Sequence, residues 1–194
     1  GRWGTTIDQK LPGEMGSLAK DFNAMSLSLA RTITSLDMEK NSMKLGFVSA
    51  ILDGWSFDET LDVAADLGYR CVEVACWPHG KAERRYAGVS HIDVDNLGDA
   101  EAAAILDACS AKGIEISALA FYPNPMDGDL TRRQANISHL RQVIAASAKL
   151  GVGRVTTFIG RDQTQTVEAN LELFRQLWPP IIAYAESLGV QVAI

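Results

Sequence analysis

Nowhere does the sequence approach the ~18 consecutive apolar residues that a membrane span requires. The N-terminus also lacks the basic flank and apolar run of a signal peptide. Cysteine is scarce: Cys71, Cys76 and Cys109 are odd in number and include no Cys-x-x-Cys pair, which fits neither a disulfide framework nor a zinc knuckle. Cys71 and Cys76 lie in an apolar run and read as small core residues. Basic residues are outnumbered, 18 Lys and Arg against 24 Asp and Glu, for a net charge of −6. That balance argues against a general binder of nucleic acid or anionic membranes. The cysteine pattern suits a reducing cytoplasm, and a cytoplasmic protein is expected. The chain begins with Gly rather than Met, as expected of an internal or processed piece.

Other missing patterns narrow the chemistry. No apolar run leads into Gly-x-Gly-x-x-Gly or a phosphate-binding Gly-Lys-Ser/Thr. The sequence holds no Ser-His-Asp order, no His-Glu-x-x-His, and no Glu at the end of the fourth expected strand. What remains is an ordinary globular composition, 47% apolar and 22% charged, at a length of 194 residues that suits one domain, or one domain with an appendage.

The text changes character near residue 42. Residues 1–16 are polar and Gly-rich, and 17–36 read as a helix. Its stripe of Leu18, Phe22, Met25, Leu29 and Ile33 is narrow and coiled-coil-like. Residues 37–42 read as a linker, so the expected division is 1–42 and 43–194. From Met43 onward, short apolar runs alternate with amphipathic helices. Strands are expected over 44–51, 70–76, 115–121, 154–159 and 190–194, with helices over 57–67, 98–112, 131–150 and 167–188. Such alternation is the mark of βαβ units and a parallel sheet.

An internal repeat supports this reading. Each helix ends at a Gly just ahead of the next strand, at Gly68, Gly113, Gly151 and Gly189, with intervals of 45, 38 and 38 residues. Gly after the last helical turn takes the left-handed conformation at little cost and stops the helix. The long polar and aromatic connections after the second and third strands favour a barrel over an open sheet. The fold expected is α/β, a (β/α)8 TIM barrel cut to about its first four and a half βα units and preceded by a separate helix. The alternative to a truncated barrel is a half-barrel that dimerises through its open edges.

In a barrel, strand C-termini and the loops after them face the ligand. Those positions hold Ser49, Asp53 and Trp55, then Trp77, His79, Arg84, Arg85 and His91, then Tyr122 and Asn124, then Arg161 and Asp162. His79 and His91 suit ligation or acid–base work, or are simply solvated loop residues. Arg84, Arg85 and Arg161 could pair an anion or be surface charge. Trp55, Trp77 and Tyr122 could stack on a sugar or serve as packing. Glu73, mid-strand and inward, needs a partner, whether structural or catalytic. His139, within the third helix, reads as a helix-surface residue.

The stretches 43–52, 76–88, 90–93, 121–125 and 157–162 together resemble the sugar phosphate isomerase/epimerase family, the xylose-isomerase-like barrels. The resemblance implies an enzyme that moves a proton next to a sugar carbonyl, as an aldose–ketose isomerase or epimerase, on a sugar or sugar phosphate. It implies a divalent metal (manganese, magnesium, cobalt or zinc) in the full-length enzyme, held by residues beyond Ile194, with no ligand expected in 1–194. The substrate wall it carries over is Trp77, His79, His91, Tyr122, Asn124 and Arg161, and the piece by itself is expected to be inactive.

Residues 13–25, with Gly13-Glu-Met-Gly16, Leu18, Phe22-Asn23 and Met25, resemble the second half of a HAMP linker domain, although Gly13 stands where an acidic residue is usual. That resemblance implies a signal relay, with a membrane partner and a barrel used as a sensor. A plain amphipathic helix is the alternative. A sugar-binding barrel without catalysis is a third reading of the whole.

Overall fold

The computed structural model describes residues 24–25, 27–29, 31–32, 43–78 and 88–194. The chain divides into two units, Gly1–Lys44 and Leu45–Ile194. In the first, residues 24–25, 27–29 and 31–32 are helical, and the Thr32 hydroxyl donates to the Ser28 carbonyl at 3.1 Å. The rest of the helix expected over 17–36, and with it most of the HAMP-like motif, lies outside the described residues.

The second unit is a five-stranded parallel sheet in the order β1-β2-β3-β4-β5. Its elements are β1 (Gly46–Val48), a 3-10 turn (Ser49–Ile51), α1 (Phe57–Asp66), β2 (Cys71–Ala75), α2 (Asp99–Lys112), β3 (Glu115–Ala120), α3 (Leu130–Lys149), β4 (Arg154–Thr156), α4 (Val167–Ser187) and β5 (Gln191–Ala193). Three of the four helices start at a side-chain cap, and α2 starts at Gly98 without one. Ser56 and Glu59 form a reciprocal capping box on α1, while Asp129 and Thr166 cap α3 and α4 by accepting from Arg132 N and Ala169 N. Each helix stops at one of the repeated glycines, and Gly68, Gly113, Gly151 and Gly189 all have φ between 64° and 77°. The helix–Gly–strand repeat therefore reports the βα units correctly.

Two strands end three residues short of the sequence expectation. The first strand ends at Val48, not near Ile51, because Ser49 turns into a 3-10 helix, and its side chain, not a strand carbonyl, receives the Ala75 N–H. β4 stops at Thr156: Thr157 N still donates to Ala193 O, but Phe158 and Ile159 leave the ladder. Inside α4, Pro179 and Pro180 are exposed, so the backbone carbonyls they leave without amide partners one turn earlier can turn to water.

Strand alternation sorts the side chains onto two faces. One face, with Val72, Val74, Leu119, Phe121 and Val155, packs under the helices against Leu61, Cys109, Leu140, Ile144, Trp178 and Ile181. Each large side chain buried there contributes about 1.5–3 kcal/mol. The other face carries a smaller cluster of Ala50, Ala75, Trp77, Val89 and Ala120, with Val48 and Tyr122 against it. A register shift in the β2–β3 pairing keeps this second set in phase. Val72 pairs with Ile116 but Glu73 with Ala118, so Ser117 is the extra residue. Ala118, Ala120 and Tyr122 thereby fall on the same face as Glu73, Ala75 and Trp77.

Candidate substrate wall at the strand C-termini

The inner face at the strand ends is aromatic. Trp77, buried, lies 5.7 Å from Tyr122 between ring centroids, and Tyr122 lies 4.7 Å from Phe158. Three rings from the second residue after each of β2, β3 and β4 thus form one run, ending in a Phe158 that is 58% exposed. Phe158 was not singled out in the sequence. The signal was there: alternation from Thr156 places residue 158 on the inner face.

Tyr122 is fixed from below. Its hydroxyl donates to the Glu73 carboxyl group and sits 3.3 Å from Thr156 Oγ1. The inward Glu73 therefore has its partner, a phenol instead of a cation. Burial, reinforced by the neighbouring Glu73, pushes the Tyr122 phenol up to about 12. It stays protonated at every physiological pH, and it presents its ring, not its oxygen, to anything in the half-barrel.

His91 is buried behind the wall. Its Nδ1 lies 2.9 Å from Ser49 Oγ, and Ser49 Oγ accepts from Ala75 N at 2.9 Å. His91 N donates to Ala75 O, and Trp77 N donates to Val89 O. Burial holds the His91 imidazole below its usual range, opposed by the carbonyls of Leu52 and Trp55 and the charge of Asp53.

Asn124 and Arg161 meet across the β3 and β4 loops. Asn124 Nδ2 donates to Arg161 O at 2.7 Å, and Asn124 Oδ1 accepts from Arg161 N at 3.0 Å and from Met126 N at 3.0 Å. The amide is thus spent on backbone, while Arg161 is exposed at the rim of a 260 Å³ cleft lined by Met126, Ile159, Leu171 and Phe174. Next to it, Asp162 accepts from Thr164 N and Oγ1, and these bonds hold its carboxyl below the usual carboxylate range.

The structure thus brings Trp77 and Tyr122 together, sets His91 behind them, and joins Asn124 to Arg161. His79, Arg84 and Arg85 lie outside the described residues. Trp55 is exposed on the loop after β1. His139 departs from the sequence expectation: it is buried, not on the helix surface. Its Nε2 lies 2.9 Å from Cys76 O and its ring 4.7 Å from Phe121, so it ties α3 to the end of β2.

For the divalent metal that the resemblance implies, no three His, Cys, Asp or Glu side chains converge among the described residues. Glu73 is taken by Tyr122, His91 by Ser49 and Asp162 by Thr164. Among the described residues the donor set does not fit such an ion. Among the described residues, no helix is long and apolar enough to cross a membrane.

Residues 61–194 match the family model of the xylose isomerase-like TIM barrel. The chain belongs to that family. No curated protein matches it in sequence. Among solved structures, it is similar to D-psicose 3-epimerase from Clostridium cellulolyticum H10 solved with D-tagatose (TM-score 0.56, 17% identity, 77% of this chain and 51% of that one). It is also similar to the IolI protein with a bound zinc atom (0.54, 18%, 78% and 50%). A third is the probable 3-DHS dehydratase AsbF from Bacillus anthracis (0.54, 14%, 78% and 52%). At these identities the likeness shows the fold. The chain spans about half the length of these structures.

Proposed function

We propose that this xylose isomerase-like chain carries the sugar-facing wall of an isomerase or epimerase that acts on a ketose or aldose, free or phosphorylated. The observation that carries the reading is the continuous run Trp77–Tyr122–Phe158 across the inner mouth, with Tyr122 held by Glu73. A sugar ring has one face of C–H groups, and aromatic side chains remove that face from water at a gain of about 25 cal/mol per Å². Arg161, whose side chain is exposed at the rim, is placed to meet a phosphate or carboxylate on the same ligand. In this reading Asn124 sets the rim and His91 the wall, and His79 belongs to the same side of the substrate. Proton transfer next to the carbonyl, and any divalent metal it uses, belong to the complete barrel. The psicose 3-epimerase neighbour, with its D-tagatose, makes ketohexoses the first class to try.

Saturation-transfer NMR with a panel of ketohexoses and their phosphates tests the wall. Aromatic protons of the chain should transfer magnetisation to the sugar C–H protons. Trp77→Ala and Tyr122→Ala should abolish the transfer, whereas Tyr122→Phe, which keeps the ring, should retain it. A folded chain that shows no transfer to any member of the panel would overturn the reading. Turnover by a full-length barrel separates an isomerase or epimerase from a barrel that only binds sugar.

A further inference from the structure

We infer that Ser49 and His91 form a neutral hydrogen-bonded brace that positions Trp77, so that His91 shapes the sugar wall from behind without touching the sugar. The last clause rests on the proposed role of Trp77; the brace itself rests on geometry.

Three chain segments meet at this point. Ser49 begins the 3-10 turn after β1, Ala75 ends β2, and residues 88–91 run back antiparallel past the end of β2 through the Cys76–Ser90 bridge. Ser49 Oγ and His91 N engage the two backbone groups of Ala75, at 2.9 Å each, and Ser49 and His91 engage one another. Trp77 follows two residues later, its N–H on Val89 O at 3.3 Å and its ring among Ala50, Ala75 and Val89. The position of the indole is therefore set by how the returning segment lies against β2, and the Ser49–His91 bond fixes that.

Proton placement follows from the donor inventory. Ser49 Oγ accepts the Ala75 N–H, and among the described residues His91 Nδ1 is the acceptor within reach of its own proton, so that proton goes to Nδ1. The neutral imidazole then carries its hydrogen on Nε2, a buried atom without a hydrogen-bond partner. A second proton would land on Nδ1, facing the hydroxyl. Ser49 would have to reverse its bond, and its own hydrogen would lose its acceptor. The groups around the imidazole are Ser49 and Ala75, both neutral, the carbonyls of Leu52 and Trp55, and one charge, Asp53. Burial outweighs that charge and keeps His91 neutral at pH 7. Acidification should therefore loosen the brace.

Fluorine NMR on the 194-residue chain labelled with 5-fluorotryptophan reads the position of Trp77 directly, with Trp77→Phe assigning its resonance. The resonance should move in a single step below the ordinary histidine value of about 6.5. His91→Asn keeps an acceptor where Nδ1 stands, so it should preserve the neutral-pH resonance and erase the step. His91→Gln and Ser49→Ala should displace the resonance at neutral pH and weaken ketose binding by about 10-fold. The wild-type titration needs no variant and survives a folding failure in any of them. A Trp77 resonance indifferent both to pH between 5 and 7 and to His91→Gln would overturn the brace. If Trp77 follows His91 while no sugar binds at any pH, the brace stands and the sugar reading falls.

Discussion

Asn124 lies between two loops and belongs, by its hydrogen bonds, to both. Its one amide donates to the carbonyl and accepts from the N–H of the same residue, Arg161, at 2.7 and 3.0 Å. This two-way bond joins the connection after β3 to the connection after β4 and places the Arg161 side chain at the rim.

Asn124→Ala should remove both bonds and the one from Met126 N, and lower unfolding free energy by about 2–3 kcal/mol, since each contributes about 1 kcal/mol net. Asn124→Asp should cost at least as much, because its second oxygen faces the Arg161 carbonyl. Urea denaturation measures the change, and an unaltered midpoint for both variants would mean that the loops are held elsewhere.

Gly160 sits directly against this clamp. Its φ is +78°, a left-handed conformation that disfavours side chains, and a Cβ there would collide with Asn124 Oδ1. Gly160→Ala should therefore destabilise the chain by more than Asn124→Ala does. In the Asn124→Ala background its cost should shrink, leaving that of the backbone conformation, about 1 kcal/mol, and of the close approach to Pro125 Cδ. Four denaturation curves complete the cycle, and strict additivity would refute the collision.

Asp162 should contribute to acid unfolding. Its carboxyl titrates below the usual carboxylate range in the folded chain, chiefly through Thr164. Stabilisation from such a group is present above the unfolded value of about 3.9 and is lost as pH falls through the folded one. Asp127, lowered through Arg132, acts in the same window. Asp162→Asn should flatten the fall in stability between pH 5 and 2. A slope equal to wild type in a pH series of thermal melts would exclude this role.

Residues 1–194 alone should turn over no ketose with any added divalent metal, because no donor set for one converges among the described residues. They should also associate. Among the described residues, β1 and β5 each have an edge without a strand partner, and Leu45, Ile51, Val167, Leu171 and Ile194 are 50–71% exposed. Light scattering should show species larger than a monomer. A stable monomer would refute the second expectation, and measured isomerisation the first.

Much of this architecture is legible in the sequence because it is local. The four glycines after the helices and the caps at Ser56, Asp129 and Thr166 act within a few residues of themselves. What escapes is what distant segments do to each other. Ser49 shortens β1 because an amide 26 residues away takes its side chain. His139 is buried because Cys76 O lies 63 residues before it. Glu73 finds a phenol 49 residues on, in phase only because Ser117 adds one residue to β3. Strand alternation would have revealed Phe158, but no local pattern gives the orientation of Asn124.

The strand order 1-2-3-4-5 has a consequence for how the chain is made. Every strand pairs with the one before it in sequence, so none of β2 to β5 waits for a later segment to supply its first neighbour. Pairings of modest sequence separation form quickly, and domains fold from the N-terminus as they leave the ribosome. The sheet can therefore grow vectorially, one Gly-terminated unit at a time, with synthesis always adding to the newest edge.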